Sequence, residues 1–158
     1  MQSNSTVHIR RGASTDLPSV LELIHELAQY ERASHEVTNH LALMQEQFMQ
    51  DAFALFIAEI DRTVVGAAVY FYSYSTWKGR SLYLDDLVVT ESMRGKGIGK
   101  KLLDAVIAEA KRQHVAKVHW QVLEWNTPAI RFYERTGAFF DHEWVNCKLE
   151  GALLESYT

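Results

Sequence analysis

Apolar positions divide the chain into alternating helical and extended stretches. Residues 8–10 form a short extended run, and Gly12 to Ser14 read as the turn out of it. Thr15 or Asp16 can cap a helix whose first turn tolerates Pro18, and Val20, Leu21, Ile24, Leu27 and Ala28 recur at helical spacing until about Tyr30. A second helix is expected over residues 39–50, with Leu41, Met44, Phe48 and Met49 on its apolar side. Residues 55–60 and 63–74 are β-rich and flank Asp61-Arg62, the pattern of a hairpin with a tight polar turn. After a break at residues 75–80, a strand over 81–89 leads into Arg94-Gly95-Lys96-Gly97-Ile98-Gly99. A helix follows with Leu102, Leu103, Val106, Ile107 and Ala110 inward. A strand is expected over 115–123, and a helix from Thr127-Pro128 to Arg135 that Gly137 stops. One or two last strands are expected within 138–149. The sequence thus predicts an α/β (α+β) domain with a strand-to-helix turn near its centre and no internal repeat.

Composition narrows the class. At 158 residues, with 47% hydrophobic and 23% charged positions, the chain has the size and content of one globular domain spanning 1–158. Its single cysteine, Cys147, cannot form an internal disulfide, and no apolar run approaches the roughly 20 residues of a membrane span. The first six residues are polar and do not read as a signal peptide, so a cytoplasmic protein without membrane contact is expected. A net charge of −4 argues against a nucleic-acid partner. The charge is segregated: Arg94, Lys96, Lys100, Lys101, Lys111, Arg112 and Lys117 follow one another, whereas Glu22, Glu26, Glu31, Glu36, Asp85 and Asp86 lie earlier. A polyanionic cofactor and a cationic substrate fit that division; solvated helix faces account for the charges singly. The seven histidines, His8, His25, His35, His40, His114, His119 and His142, have no metal-ligand spacing, and no metal site is expected.

A glycine-rich turn between a strand and a helix presents backbone N–H groups at the positive end of the helix dipole, where a pyrophosphate can bind. Arg94 to Gly99 is such a turn, although three glycines in six residues also suit a plain turn. Tyr83-Leu84-Asp85-Asp86-Leu87-Val88-Val89 followed by this turn resembles the acetyl-CoA motif of the GNAT acetyltransferases. Glu124-Trp125-Asn126, then residues 129–138, resembles that family's second motif. Residues 27–31 and 74–80 are similar to the branch that acetylates diamines and thialysine, and the similarity covers nearly the whole chain.

The resemblance implies a mixed, mostly antiparallel sheet flanked by helices, with acetyl-CoA as acetyl donor. Arg94, Gly95, Lys96, Gly97, Ile98 and Gly99 would hold the pyrophosphate, with Lys100 adding charge if it is not simply a solubilising lysine. The backbone of Leu87, Val88 and Val89 would pair with the pantetheine arm, and Asn126 and Tyr133 would touch the cofactor farther along. A homodimer is implied as well, since the family pairs subunits along sheet strands.

The chemistry sets two further demands. An alkyl amine with a pKa near 10.4 is neutral in only about one molecule in 2,500 at pH 7, so a base must take its proton. By the resemblance Asp85 is that base, through a water. Neighbouring strand residues are expected to face opposite sides of the sheet, which separates Asp85 from Asp86; either acid can alternatively pair with a nearby Arg or Lys. The departing thiolate needs a proton, and Tyr133 matches the family's donor. The resemblance also places Tyr30, Glu31, Ser75, Trp77, Asp85 and Asp86 in the amine site, where acids and aromatics select cations. Ser75-Thr76-Trp77 resembles thialysine-acetylating members, whereas polyamine-acetylating members carry an acid and a proline there. A short amino acid is therefore the expected substrate and a polyamine the alternative. A non-catalytic acyl-CoA-binding module and a protein acetyltransferase are the remaining readings.

Overall fold

The computed structural model describes residues 6–158, in two compact units, Met1–Gln121 and Val122–Thr158. The expectation about a signal peptide falls mainly on residues 1–5, outside the described part.

In the first unit, strands β1 (His8–Arg11), β2 (Ala54–Ile60), β3 (Thr63–Ser75), β4 (Gly79–Val89) and β5 (Val118–His119) form one sheet in the order β1-β2-β3-β4-β5. The first four are antiparallel neighbours, and β5 runs parallel to β4. The β2–β3 hairpin turns at Asp61 and Arg62, both with positive φ (47° and 66°), as a two-residue turn matched to strand twist requires.

Helices α1 (Leu17–Tyr30) and α2 (Leu41–Met49) connect β1 to β2. Leu17, Val20 and Leu23 of α1 and Met44 of α2 pack with Leu55, Ile57, Ala67, Val69 and Val88 of the sheet. The opposite sheet face meets α3 (Ile98–Arg112), which buries Ile98, Leu102, Leu103, Val106 and Ala110. Gly66 permits this close approach, because a Cβ there would stand 2.9 Å from the Val88 carbonyl oxygen and 3.2 Å from Leu102 Cδ1. Glu109 of α3 is buried and satisfied by Arg11, Arg112, the Tyr72 hydroxyl and Gln113, so a carboxylate sits in the packed layer at little electrostatic cost.

Asp16 does occupy the N-cap position of α1, with Pro18 in the first turn, but its carboxylate does not cap that helix. Its oxygens accept from the Arg10 guanidinium at 2.8 Å and from the Ala13 amide at 2.8 Å, tying β1 to the helix start.

The second unit contains α4 (Thr127–Glu134) and the one-turn α5 (Ala152–Glu155). Two sequence expectations are corrected. The strand over 115–123 shrinks to Val118–His119: Val115 is taken up in closing α3, its amide bonding the Ala110 carbonyl, and β4 offers a parallel ladder at two positions only. The strands expected within 138–149 are absent among the described residues, since β-propensity makes no strand without a ladder partner and the unit Val122–Thr158 holds no other strand. No helix of the described residues is long and apolar enough to cross a membrane.

Candidate active site

The centre of β4 is irregular. Val69 of β3 pairs with Asp86 and Tyr70 with Leu84, leaving Asp85 as an inserted residue in a β-bulge. The bulge overturns the expectation that Asp85 and Asp86 are kept apart by simple alternation. Asp86 shares the face of its partner Val69, and the Tyr83 phenol, raised chiefly by burial, is raised further by the charges of both Asp85 and Asp86. Among the described residues, no hydrogen bond or ion pair engages the carboxylate of Asp85, Asp86 or Glu31.

Burial raises the pKa of Asp86 to about 7, with the charges of Asp85 and Glu31 adding to the effect. Burial alone raises Asp85 and Glu31. Three unpaired acids thus gather where α1 ends and β4 bulges, and they make a strongly negative spot suited to a cation. The bulge had a trace in the sequence: the apolar parity of Leu82 and Leu84 slips by one to Leu87 and Val89 across the two aspartates.

Beyond the bulge, β4 has no ladder with β5. The parallel ladder covers only Leu82 with Val118 and Tyr83 with His119, so at Leu87, Val88 and Val89 β4 has no pairing to β5. At the end of β4 a 3₁₀ turn over Glu91–Met93 leads to the glycines, and Gly95 and Gly97 have positive φ (74° and 77°). Gly97 is the N-cap of α3, and the first helical bond runs from the Lys101 amide to the Gly97 carbonyl. The amides of Ile98, Gly99 and Lys100 therefore lead the helix without intrahelical acceptors, a cradle for a phosphate group.

The basic side chains of this turn are partly committed. Arg94 donates from Nε to the Val89 carbonyl at 3.0 Å, stacks over Tyr30 at 4.9 Å and lies 3.6 Å from Glu26. Glu26 also accepts from the Thr90 hydroxyl and the Glu91 amide, so it anchors α1 to the loop, a function the sequence did not reveal. Lys96 donates to the Ser92 carbonyl at 3.3 Å, and Lys100 pairs with Asp104 at 2.5 Å.

Ser75 and Trp77 lie at the tip of the β3–β4 hairpin. The Ser75 hydroxyl oxygen accepts from the Lys78 amide, and Trp77 is largely exposed. Along β4 the tip is roughly 20 Å from Asp85 at about 3.3 Å per residue, so these two do not join the acid cluster within the chain. In the second unit Asn126 is the N-cap of α4, its Oδ1 accepting from the Ala129 amide at 3.3 Å, and Tyr133 is a buried residue of the same helix. No group of three His, Cys, Asp or Glu side chains that could hold a metal occurs among the described residues.

A bulged strand, a parallel neighbour paired to it at two positions only and a glycine turn opening a helix suit an acyl-CoA-dependent transferase. The chain belongs to the acetyltransferase (GNAT) family, whose model matches residues 18–138. It is 37% identical over 142 residues to the thialysine N-epsilon-acetyltransferase of Bos taurus, with 84% of each chain covered. It is 32% identical over 143 residues to the human spermidine/spermine N(1)-acetyltransferase-like protein 1, covering 82% of this chain and 20% of that one. Among solved structures, an aminoglycoside N-acetyltransferase in complex with CoA superposes with a TM-score of 0.76 at 21% identity, over 94% of this chain and 97% of that one. The protein is an acetyltransferase of a family that uses acetyl-CoA.

Proposed function

We propose that the protein transfers the acetyl group of acetyl-CoA to the terminal amine of a short amino acid, thialysine or a close analogue. The observation that carries this reading is the trio Glu31, Asp85 and Asp86, acids near the β4 bulge that no cation pairs with among the described residues. Relatives at 27–37% identity that are named thialysine N-epsilon-acetyltransferases support the choice of amine. A polyamine is the second reading, favoured by the same acids and by the human polyamine-type relative.

In this mechanism the amides from Lys96 to Gly99 receive the pyrophosphate, and the backbone of Leu87, Val88 and Val89, laddered to β3 but not to β5, pairs with the pantetheine arm. Asp85, through a water, removes the amine proton with Asp86 beside it. Burial lifts the Asp85 carboxyl above its ordinary value, so it accepts a proton at neutral pH better than an unshifted carboxylate does. Tyr133 protonates the departing thiolate, and Asn126 lies along the cofactor's path. Arg94 contributes by fixing the turn against Glu26 and Tyr30. The family match runs across residues 18–138 and supports one acetyltransferase domain spanning 1–158. The lone, exposed Cys147 suits a reducing, cytoplasmic setting, and the working unit is a homodimer.

The test is competition of thialysine, lysine and spermidine for acetyl-CoA. Thialysine is expected to have the highest kcat/KM. A preference for spermidine above about tenfold replaces this reading with the polyamine one, and tight CoA binding without turnover of any amine leaves a binding module.

A further inference from the structure

The sheet face that carries Asp86 continues along β3 and β4 towards their hairpin, and its side chains change character on the way. Phe71 and Tyr83 are a cross-strand pair with ring centroids 5.1 Å apart, and the His119 ring meets the edge of Tyr83 at 4.9 Å. Beyond them Ser73 Oγ lies 3.2 Å from His119 Nε2, and the Tyr83 hydroxyl donates to Gln121 at 3.1 Å. Val69, Phe71 and Ser73 alternate onto one face, and Val69 is the partner of Asp86. One strip therefore runs from the acids, over two aromatic rings, to a hydroxyl and an imidazole.

We propose that Ser73 and His119 bind the carboxylate end of an amino-acid substrate whose distal amine lies at the acid cluster, with Phe71 and Tyr83 as the floor under its chain. The proposal rests on the amino-acid reading above and names the residues that distinguish such a substrate from a plain diamine.

Length supports it. Four residues of extended strand separate Val69 from Ser73, about 13 Å at about 3.3 Å per residue. An extended chain of lysine length spans roughly 8 Å from terminal nitrogen to carboxylate carbon. A hydrogen bond of about 3 Å at each end brings the total near 14 Å. The chemistry is complementary at each end. Whichever of Ser73 and His119 donates in their shared hydrogen bond, the pair keeps a further O–H or N–H donor for a carboxylate oxygen. Burial lowers the pKa of His119, and the positive charge of Lys117 adds to the effect; that charge favours an anion at this end, while the acids at the Asp86 end repel one. The rings between suit methylenes, and a thioether sulfur gains from aromatic contact. Ser75, whose oxygen accepts within the hairpin turn, is less well placed for this task.

The experiment compares thialysine with bis(2-aminoethyl) sulfide, which keeps the amines, sulfur and chain but lacks the carboxylate. The enzymes are the wild type, Ser73→Ala, Ser73→Asp and His119→Phe, the last retaining a ring against Tyr83. Ser73→Ala and His119→Phe are expected to raise KM for thialysine roughly tenfold or more with kcat little changed, and to leave the diamine within about threefold. Ser73→Asp should reverse the wild-type preference, because a carboxylate there repels the acid and attracts the second ammonium. Equal loss with both substrates in variants that keep the wild-type Tm overturns the proposal, as does no change with thialysine. If His119→Phe does not fold, the two Ser73 variants decide alone. A wild type that acetylates the diamine as well as thialysine removes this site while leaving amine acetylation intact. A wild type that turns over neither removes the functional reading itself, and this proposal with it.

Discussion

At the scale of single residues, Asp86 links stability to catalysis. Its pKa is raised from an ordinary 3.8 to about 7, so between those values the folded protein binds a proton that the unfolded chain has released. Stability therefore falls as pH rises from about 4 to about 7, and the penalty is fully present above that window. Asp86→Asn is expected to be more stable than wild type at pH 8 by roughly 1–3 kcal/mol, the figure reduced for the partial exposure of the group. The difference should vanish below about pH 4 in urea melts taken across pH. Equal stability at pH 8 means that Asp86 carries no such strain. The same carboxylate should shape activity: kcat/KM rises through neutral pH as the acids lose their proton. In Asp86→Asn the limb moves to lower pH, because the group that titrates near 7 is gone and Asp85, raised by burial alone, sets the profile. Tyr133→Phe has a different signature, a kcat lower by roughly a hundredfold with an unchanged KM for acetyl-CoA, since the phenol acts on the leaving group. Stopped-turnover assays that give equal kcat for the two enzymes remove Tyr133 from the mechanism.

Among the elements, the turn that opens α3 separates backbone need from ligand need. Gly97 has φ +77°, so Gly97→Ala strains the N-cap by about 1 kcal/mol or more and should lower both Tm and cofactor affinity. A Cβ on Gly99 meets only Val89 Cγ2, at an ordinary 3.9 Å. Gly99→Leu should thus melt near the wild type while its KM for acetyl-CoA rises roughly tenfold or more, because the added side chain stands where the phosphate approaches. An unchanged KM in the folded variant takes the turn out of the cofactor site. The turn was legible because clustered glycines between a strand and a helix meet only two physical needs, positive φ and close approach to the backbone. Helix ends were legible where glycine marks them and where apolar spacing stops, as at Tyr30 of α1 and near Met49 of α2, but the closing motif itself was legible only at glycine. Gly137 closes α4 with bonds from its own amide to Glu134 and from Ala138 to Tyr133, as expected. The same motif closes α1, α2 and α3 at Arg32, Asp51 and His114, residues with φ of 60°, 57° and 51° that carry no stop signal. The Asp85 bulge escaped for a related reason: alternation assumes that every strand residue has a partner, and an inserted residue shows itself only as a slip in apolar parity. Face-sharing sets such as Phe71, Tyr83, Ser73 and His119 depend on register between strands distant in sequence, so His119 read alone was an ordinary structural histidine.

On the scale of the whole molecule, the tail gives the argument for assembly. Phe139, Trp144, Val145, Leu153, Leu154 and Tyr157 are all more than half exposed in the isolated chain, a density of large apolar side chains that monomers rarely show to water. Their exposure and the absence of the tail strands expected from the sequence share a cause. Extended segments without a ladder partner in their own chain can find one in a second copy, and a twofold arrangement lets each tail cover the other. Burial of such side chains contributes roughly 1.5–3 kcal/mol each, so six per chain can hold a dimer at micromolar concentration after the entropy of association is set against them. Light scattering is expected to give twice the chain mass of 18.1 kDa. Trp144→Ser with Leu154→Ser should shift the equilibrium towards monomer without lowering the helix content of the first unit. A wild-type protein that remains monomeric at micromolar concentration leaves the tail without this partner, and the double variant then has no effect on mass.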